Sequence, residues 1–208
     1  MAAPSVFLYP GAGSDRHHAR LLAIENRVTA RTSRLDFPYR KESRPGPPDR
    51  APKLMASIRD DLTKISRRRS PLIMGGHSMG GRMASMVAAD VDGAGPVKNL
   101  AALVLLGYPL HPPKKPDKLR VEHLPDITVP CLFISGTKDE FGTPEELEQW
   151  TATISASVEH IWLDGARHDL KGRDALIADA VAEFVQRITR QPPMLPRLSH
   201  RGQLGFRG

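Results

Sequence analysis

The chain has 208 residues, 40% of them apolar and 25% charged, which suits one domain with one sizeable core or a domain plus a tail. Its single cysteine, Cys131, excludes an internal disulfide, and it opens the apolar run Cys131–Ile134, where a small buried side chain is expected. The N-terminus lacks a secretory pattern and no window approaches the ~20 apolar residues of a membrane span, so the expectation is a cytoplasmic chain without a membrane partner.

The formal charge is +7. Basic residues gather at Lys64–Arg69, at Lys114-Lys115 and from Arg190 onward, where four arginines meet no acid. No aromatic residues interleave them as stacking platforms would. A solvated surface with a tail is therefore favoured over a nucleic-acid interface.

Taken in chain order, Val6–Tyr9 reads as a strand, and Ser14 caps a helix running to about Val28. Leu35–Tyr39 alternates and reads as a second strand ending at proline. Arg40–Pro52 is a loop. Leu54, Ile58, Leu62 and Ile65 form one helical stripe. Pro71–Gly76 is a buried strand, Met79–Ala89 a helix, and Leu100–Leu106 a strand apolar throughout, as expected when both faces are covered.

Tyr108–Pro130, with six prolines, is an irregular loop. Cys131–Ser135 is the next strand. Thr143-Pro144-Glu145-Glu146 combines a capping box with proline at the first helical position. Val158–Leu163 is a strand and Asp174–Ile188 a helix. The domain is placed at 1–189. Residues 190–208 read as a basic, proline-containing disordered tail. This alternation implies a mostly parallel sheet flanked by helices, with chemistry just beyond the strands' carboxyl ends.

There, Gly76-His77-Ser78-Met79-Gly80 matches G-x-S-x-G between a strand and a helix, the nucleophile elbow. Side chains two residues either side of the serine would strike neighbouring backbone, hence the glycines. The alternative is a glycine-rich helix start that binds nothing, or phosphate. No Gly-Lys-Ser/Thr follows, which excludes a P-loop.

A serine nucleophile needs a base, and the base an orienting acid, in the chain order Ser, Asp or Glu, His. Asp139 follows the strand ending at Ser135 in G-x-x-D spacing. Glu140 is the neighbouring alternative. His168 follows the strand ending at Leu163. His17, His18, His77, His111, His123 and His200 fit less well, and none clusters at metal spacing, so neither metal nor cofactor is expected. The oxyanion donors would be Met79 N–H and, after the first strand, Ala12 N–H, with Gly13 possible. Tyr39, Tyr108, His111 and Phe141 follow strand ends and are candidates for substrate contact.

With these residues in place, the chain resembles the α/β-hydrolase family related to dienelactone hydrolase. That group includes bacterial α/β-hydrolase-like proteins, the testis-expressed protein thirty type and a subunit of the non-specific lethal histone-acetyltransferase complex. The likeness rests on Gly11-Ala12-Gly13, Phe37-Pro38-Tyr39-Arg40, Gly75–Arg82, Gly107–Pro112, Gly136–Asp139 and Gly165–Asp169, and spans about residues 5–188. It implies an α/β-hydrolase fold without a large cap domain and a triad of Ser78, Asp139 and His168. Two positions depart from the family pattern. Pro10 stands where histidine is common, and His77 where lysine is common. The expected function is a serine hydrolase, an esterase or thioesterase acting on small acyl substrates. The rival reading is a non-catalytic interaction module of the same fold.

Overall fold

The computed structural model describes residues 3–43, 46–65 and 70–190. Six strands alternate with helices: β1 (Ser5–Tyr9), α1 (Ala19–Arg27), β2 (Arg31–Arg34), α2 (Pro38–Lys41), α3 (Ala51–Ile65), β3 (Leu72–His77), α4 (Met79–Ala88), β4 (Leu100–Leu106), β5 (Cys131–Gly136), α5 (Pro144–Thr151), β6 (Val158–Leu163) and α6 (Asp174–Arg190). All strand pairs are parallel, in the order β2-β1-β3-β4-β5-β6. The order reverses between β1 and β3, so the crevice that receives ligands opens beyond their carboxyl ends.

Alternate residues of the central strands feed two cores, as a period of two dictates. Phe7, Met74, Leu103, Leu105 and Phe133 pack with α3, α4 and α5. Val6, Ile73, Val104, Leu106 and Ile134 pack with α1 and α6. Burial on both faces explains why β4 and β5 are apolar without interruption. Cys131 is buried on the first face, where burial pushes its thiol up to about 12. Among the described residues, no helix is long and apolar enough to cross a membrane.

Three expectations are corrected. The second strand is Arg31–Arg34, not Leu35–Tyr39. It is an edge strand, pairing only with β1 and half-buried, so its polar Arg-Thr-Ser-Arg carries no apolar alternation. Pro38 instead opens a short helix, where its fixed φ and missing N–H cost nothing. Helix α1 starts at Ala19, capped by the His18 side chain, which accepts from Arg20 N–H, rather than at Ser14. Helix α3 starts at Ala51, taking Pro52 into its first turn. The capping box at Thr143 and Glu146 forms as expected. Of the expected tail, Arg190 ends α6 and residues 191–208 lie outside the described residues.

Candidate active site

The turn after β3 shows why its sequence is Gly-x-Ser-x-Gly. A Cβ on Gly76 would stand 2.0 Å from the Tyr9 carbonyl oxygen, and one on Gly80 would stand 2.3 Å from the same atom. Neither position admits a side chain. Between them Ser78 adopts φ 51°, ψ −117°, a conformation non-glycine residues rarely hold. Its N–H is anchored to the Leu106 carbonyl at 2.8 Å. The turn sets Ser78 at the N-terminus of α4, whose orphan N–H groups carry partial positive charge.

Two loops meet the serine. After β5, the Asp139 carboxylate is wholly shielded from solvent and accepts the Phe141 N–H at 2.9 Å. After β6, His168 places Nδ1 3.0 Å from both Asp139 oxygens and Nε2 2.8 Å from Ser78 Oγ. The carboxylate only accepts, so the His168 proton sits on Nδ1 and Nε2 is free to accept from the serine. The loops are tied to each other: Lys138 N–H donates to the Ala166 carbonyl at 2.9 Å and Gly165 N–H to Thr137 Oγ1 at 2.8 Å. The Phe141 ring stacks on the imidazole with centroids 3.8 Å apart. Glu140 points elsewhere, to Arg167 at 3.5 Å. The structure thus brings together the three residues singled out in the sequence, and prefers Asp139 to Glu140.

A cleft of about 470 Å³ opens over Ser78 and His168, floored by Gly11–Ser14 and Met79 and walled by Pro109 and Phe141. Among the described residues, neither Ala12 N–H nor Met79 N–H donates to any protein group. Both are free for a ligand oxygen. The Ala12 carbonyl is occupied, accepting from Tyr39 Oη at 2.9 Å and Arg40 Nη2 at 3.3 Å.

Of the four expected contact residues, only Phe141 lines the cleft. The aromatic side chains of the other three turn inward. Tyr39 packs on Phe37 and anchors the Ala12 peptide from behind. Tyr108 is buried beneath α4, its hydroxyl within 3.0 Å of Ser85 Oγ and His123 Nε2, and burial raises its pKa to about 12. His111 is buried between the Pro112 carbonyl and Glu146. An aromatic residue after a strand end meets either core or cleft, and the residue type does not distinguish the two.

Besides Ser14, four polar residues line the cleft that the sequence alone did not place there. His18 faces it as the cap of α1. His77 lines it with Nε2 3.1 Å from the His168 carbonyl, and burial, reinforced by the charge of Arg20, lowers its pKa to about 3. Arg82 follows Ser78 by four residues, one helical turn, which a helix-face reading of α4 could have flagged. Arg120 comes from the proline-rich loop and has no local signal. Among the described residues, no group of His, Cys, Asp and Glu is arranged to hold a metal ion.

Residues 2–190 match the family model described as an alpha/beta hydrolase domain. Solved structures share the fold. Est1E from Butyrivibrio proteoclasticus is 16% identical, with 91% of this chain and 89% of that one covered and a TM-score of 0.70. A dienelactone hydrolase from Anabaena variabilis is 20% identical, with 91% and 86% covered and a TM-score of 0.64. The esterase domain of a Rhodothermus marinus protein is 14% identical, with 89% and 88% covered and a TM-score of 0.64.

Proposed function

The chain belongs to the alpha/beta hydrolase domain family, and from that premise we propose that it is a serine hydrolase, an esterase or thioesterase acting on small acyl substrates. The observation that carries the reading is the continuous relay from Asp139 through His168 to Ser78, at 3.0 and 2.8 Å, on a serine held in a strained turn. Within the family, the six motif blocks favour the group related to dienelactone hydrolase and the testis-expressed protein thirty type. The esterase among the structural neighbours points to the same reaction class.

In the proposed reaction Ser78 Oγ attacks the carbonyl carbon while its proton passes to His168 Nε2. Asp139 holds the imidazole and stabilises the imidazolium. Met79 and Ala12 N–H groups donate to the oxyanion, aided by the dipole of α4. The tetrahedral intermediate expels the alcohol or thiol, which takes the proton from His168. Water then repeats the sequence on the acyl-enzyme and releases the acid. The open cleft and its modest volume fit short acyl groups.

Labelling of the purified protein by a neutral fluorophosphonate tests this reading. The wild type is expected to label rapidly, and Ser78→Ala and His168→Ala not at all. A folded wild type that does not label would overturn the reading and favour a non-catalytic interaction module.

A further inference from the structure

Among the described residues, Arg82 and Arg120 are the only ones lining the cleft with a permanent charge, and both are cationic. Among the described residues no carboxylate lines it: Asp139 is shielded behind His168. Among the described residues, neither guanidinium takes part in an ion pair or a side-chain hydrogen bond, although this protein pairs many of its other arginines, Arg20, Arg34 and Arg59 among them. Arg82 Nε is buried and has no hydrogen-bond partner among the described residues. An unmade donor in such a place is unfavourable unless a ligand completes it. The two cations also repel each other: burial is the main cause that lowers the Arg82 pKa, and the charge of Arg120 adds to it, against a larger opposing field from Tyr108 and a smaller one from Glu122. A shared anion would relieve both costs at once, and a guanidinium fork suits carboxylate and phosphate oxygens.

Position adds the remaining constraint. Arg82 N–H donates to the Ser78 carbonyl at 3.0 Å, so Arg82 rises from the first turn of α4 immediately beyond the serine. An anion held there belongs to the molecule whose carbonyl lies at Ser78, a few bonds from that carbonyl.

We propose that Arg82 and Arg120 form an anion subsite, and that the substrates of this cleft are esters or thioesters carrying a carboxylate or phosphate close to the scissile carbonyl. The proposal rests on the hydrolase reading for its chemistry, and on the arginine pair alone for its binding. Apolar Met79, Pro109 and Phe141 would contact the short chain between the two groups.

Binding is measured first, by calorimetry on Ser78→Ala, which separates it from turnover. Methyl hydrogen glutarate is compared with dimethyl glutarate, and 2-acetoxyethyl phosphate with its dimethyl phosphate triester. At least one anion is expected to bind tenfold or more tightly than its neutral partner, with affinity falling as salt is raised. Adding Arg82→Gln or Arg120→Gln should remove most of that preference, and Arg82→Lys should restore part of it. Arg120→Gln, on a loop, serves if the α4 variant does not fold. Preference for glutarate alone assigns a carboxylate, and for the phosphate alone a phosphoryl group. Equal binding of charged and neutral partners in both pairs overturns the proposal. The kcat/KM ratio of each pair in the wild type then separates the two readings. Selective binding without turnover keeps the subsite and rejects the hydrolase. Turnover of neutral esters without selective binding keeps the hydrolase and rejects the subsite.

Discussion

His77 stands beside Ser78 in the chain but is bonded to the middle member of the relay, His168. With its pKa lowered to about 3 it is neutral, and a neutral imidazole has one proton. The His168 carbonyl, 3.1 Å from Nε2, can only accept, so that proton lies on Nε2. Nδ1 faces Gly11, where an added Cβ would stand 3.1 Å away. His77 therefore ties the His168 backbone to the end of β3 while the His168 ring reaches Ser78. Its ring sits between those of His18 and His168, at 6.1 and 5.6 Å. His77→Ala is expected to slow fluorophosphonate labelling about fivefold, the worth of one net hydrogen bond at roughly 1 kcal/mol. His77→Gln retains a donor and should recover much of the rate. Equal rates in all three proteins would show that the tie does not position the imidazole. The sequence marked His77 only as a neighbour of the serine, because the bond spans 91 residues and no local pattern records it.

At the scale of elements, the loop after β6 is also held by α1, which packs beside α6 on the same face of the sheet. Arg20, on α1, is almost fully buried. Its Nη2 donates to the Asp169 and Leu170 carbonyls at 2.6 and 3.0 Å, and its Nε pairs with Asp174 at 3.1 Å, at the start of α6. One side chain thus fastens α1 to the two residues after His168 and to the next helix. Arg20→Met keeps the aliphatic volume and leaves those carbonyls unmet. It is expected to cost about 2–4 kcal/mol in urea unfolding. It should also speed amide exchange at residues 167–172 more than in β4, and uniform acceleration would instead indicate a global loss of stability.

The same scale shows what was readable in advance. The central strands and α3–α6 were legible because burial on one or both faces forces a period or an unbroken apolar run. β2 was not, because an edge strand held by backbone bonds to β1 asks little of its side chains. The apolar pattern at Leu35–Tyr39 belonged to a turn and short helix that drop Phe37 and Tyr39 into the core, with Phe37 5.4 Å from the Tyr9 ring. The three relay residues were legible because each follows a strand end, where the topology leaves few places for polar groups. Arg120 was not, since the proline-rich loop reaches the cleft by tertiary packing.

For the molecule as a whole, buried neutral histidines make stability depend on pH. His123 lies beneath α4 with Nε2 2.8 Å from Ser85 Oγ and 3.0 Å from the Tyr108 hydroxyl, and Ser85 donates onward to the Arg82 carbonyl. Burial, then the charge of Arg82, lowers its pKa to about 4. In the unfolded chain it titrates near 6.5. Below that value the unfolded state binds a proton that the folded state refuses, so stability is complete above pH 6.5 and drains away down to about pH 4. His77 follows the same sign over a wider window, down to about pH 3. Between pH 7 and pH 5 each group removes about 2 kcal/mol, which lowers Tm by about 4–8 °C per group in a chain of this size. His123→Gln should lower Tm at pH 7, where it loses packing, yet lose less on acidification, so the two curves converge toward pH 5. Thermal melts of both proteins from pH 7.5 to 4.5 provide the check. Parallel curves would mean that His123 takes up its proton in the folded state. The network beneath α4 would then tolerate charge, and the acid sensitivity would have to come from His77.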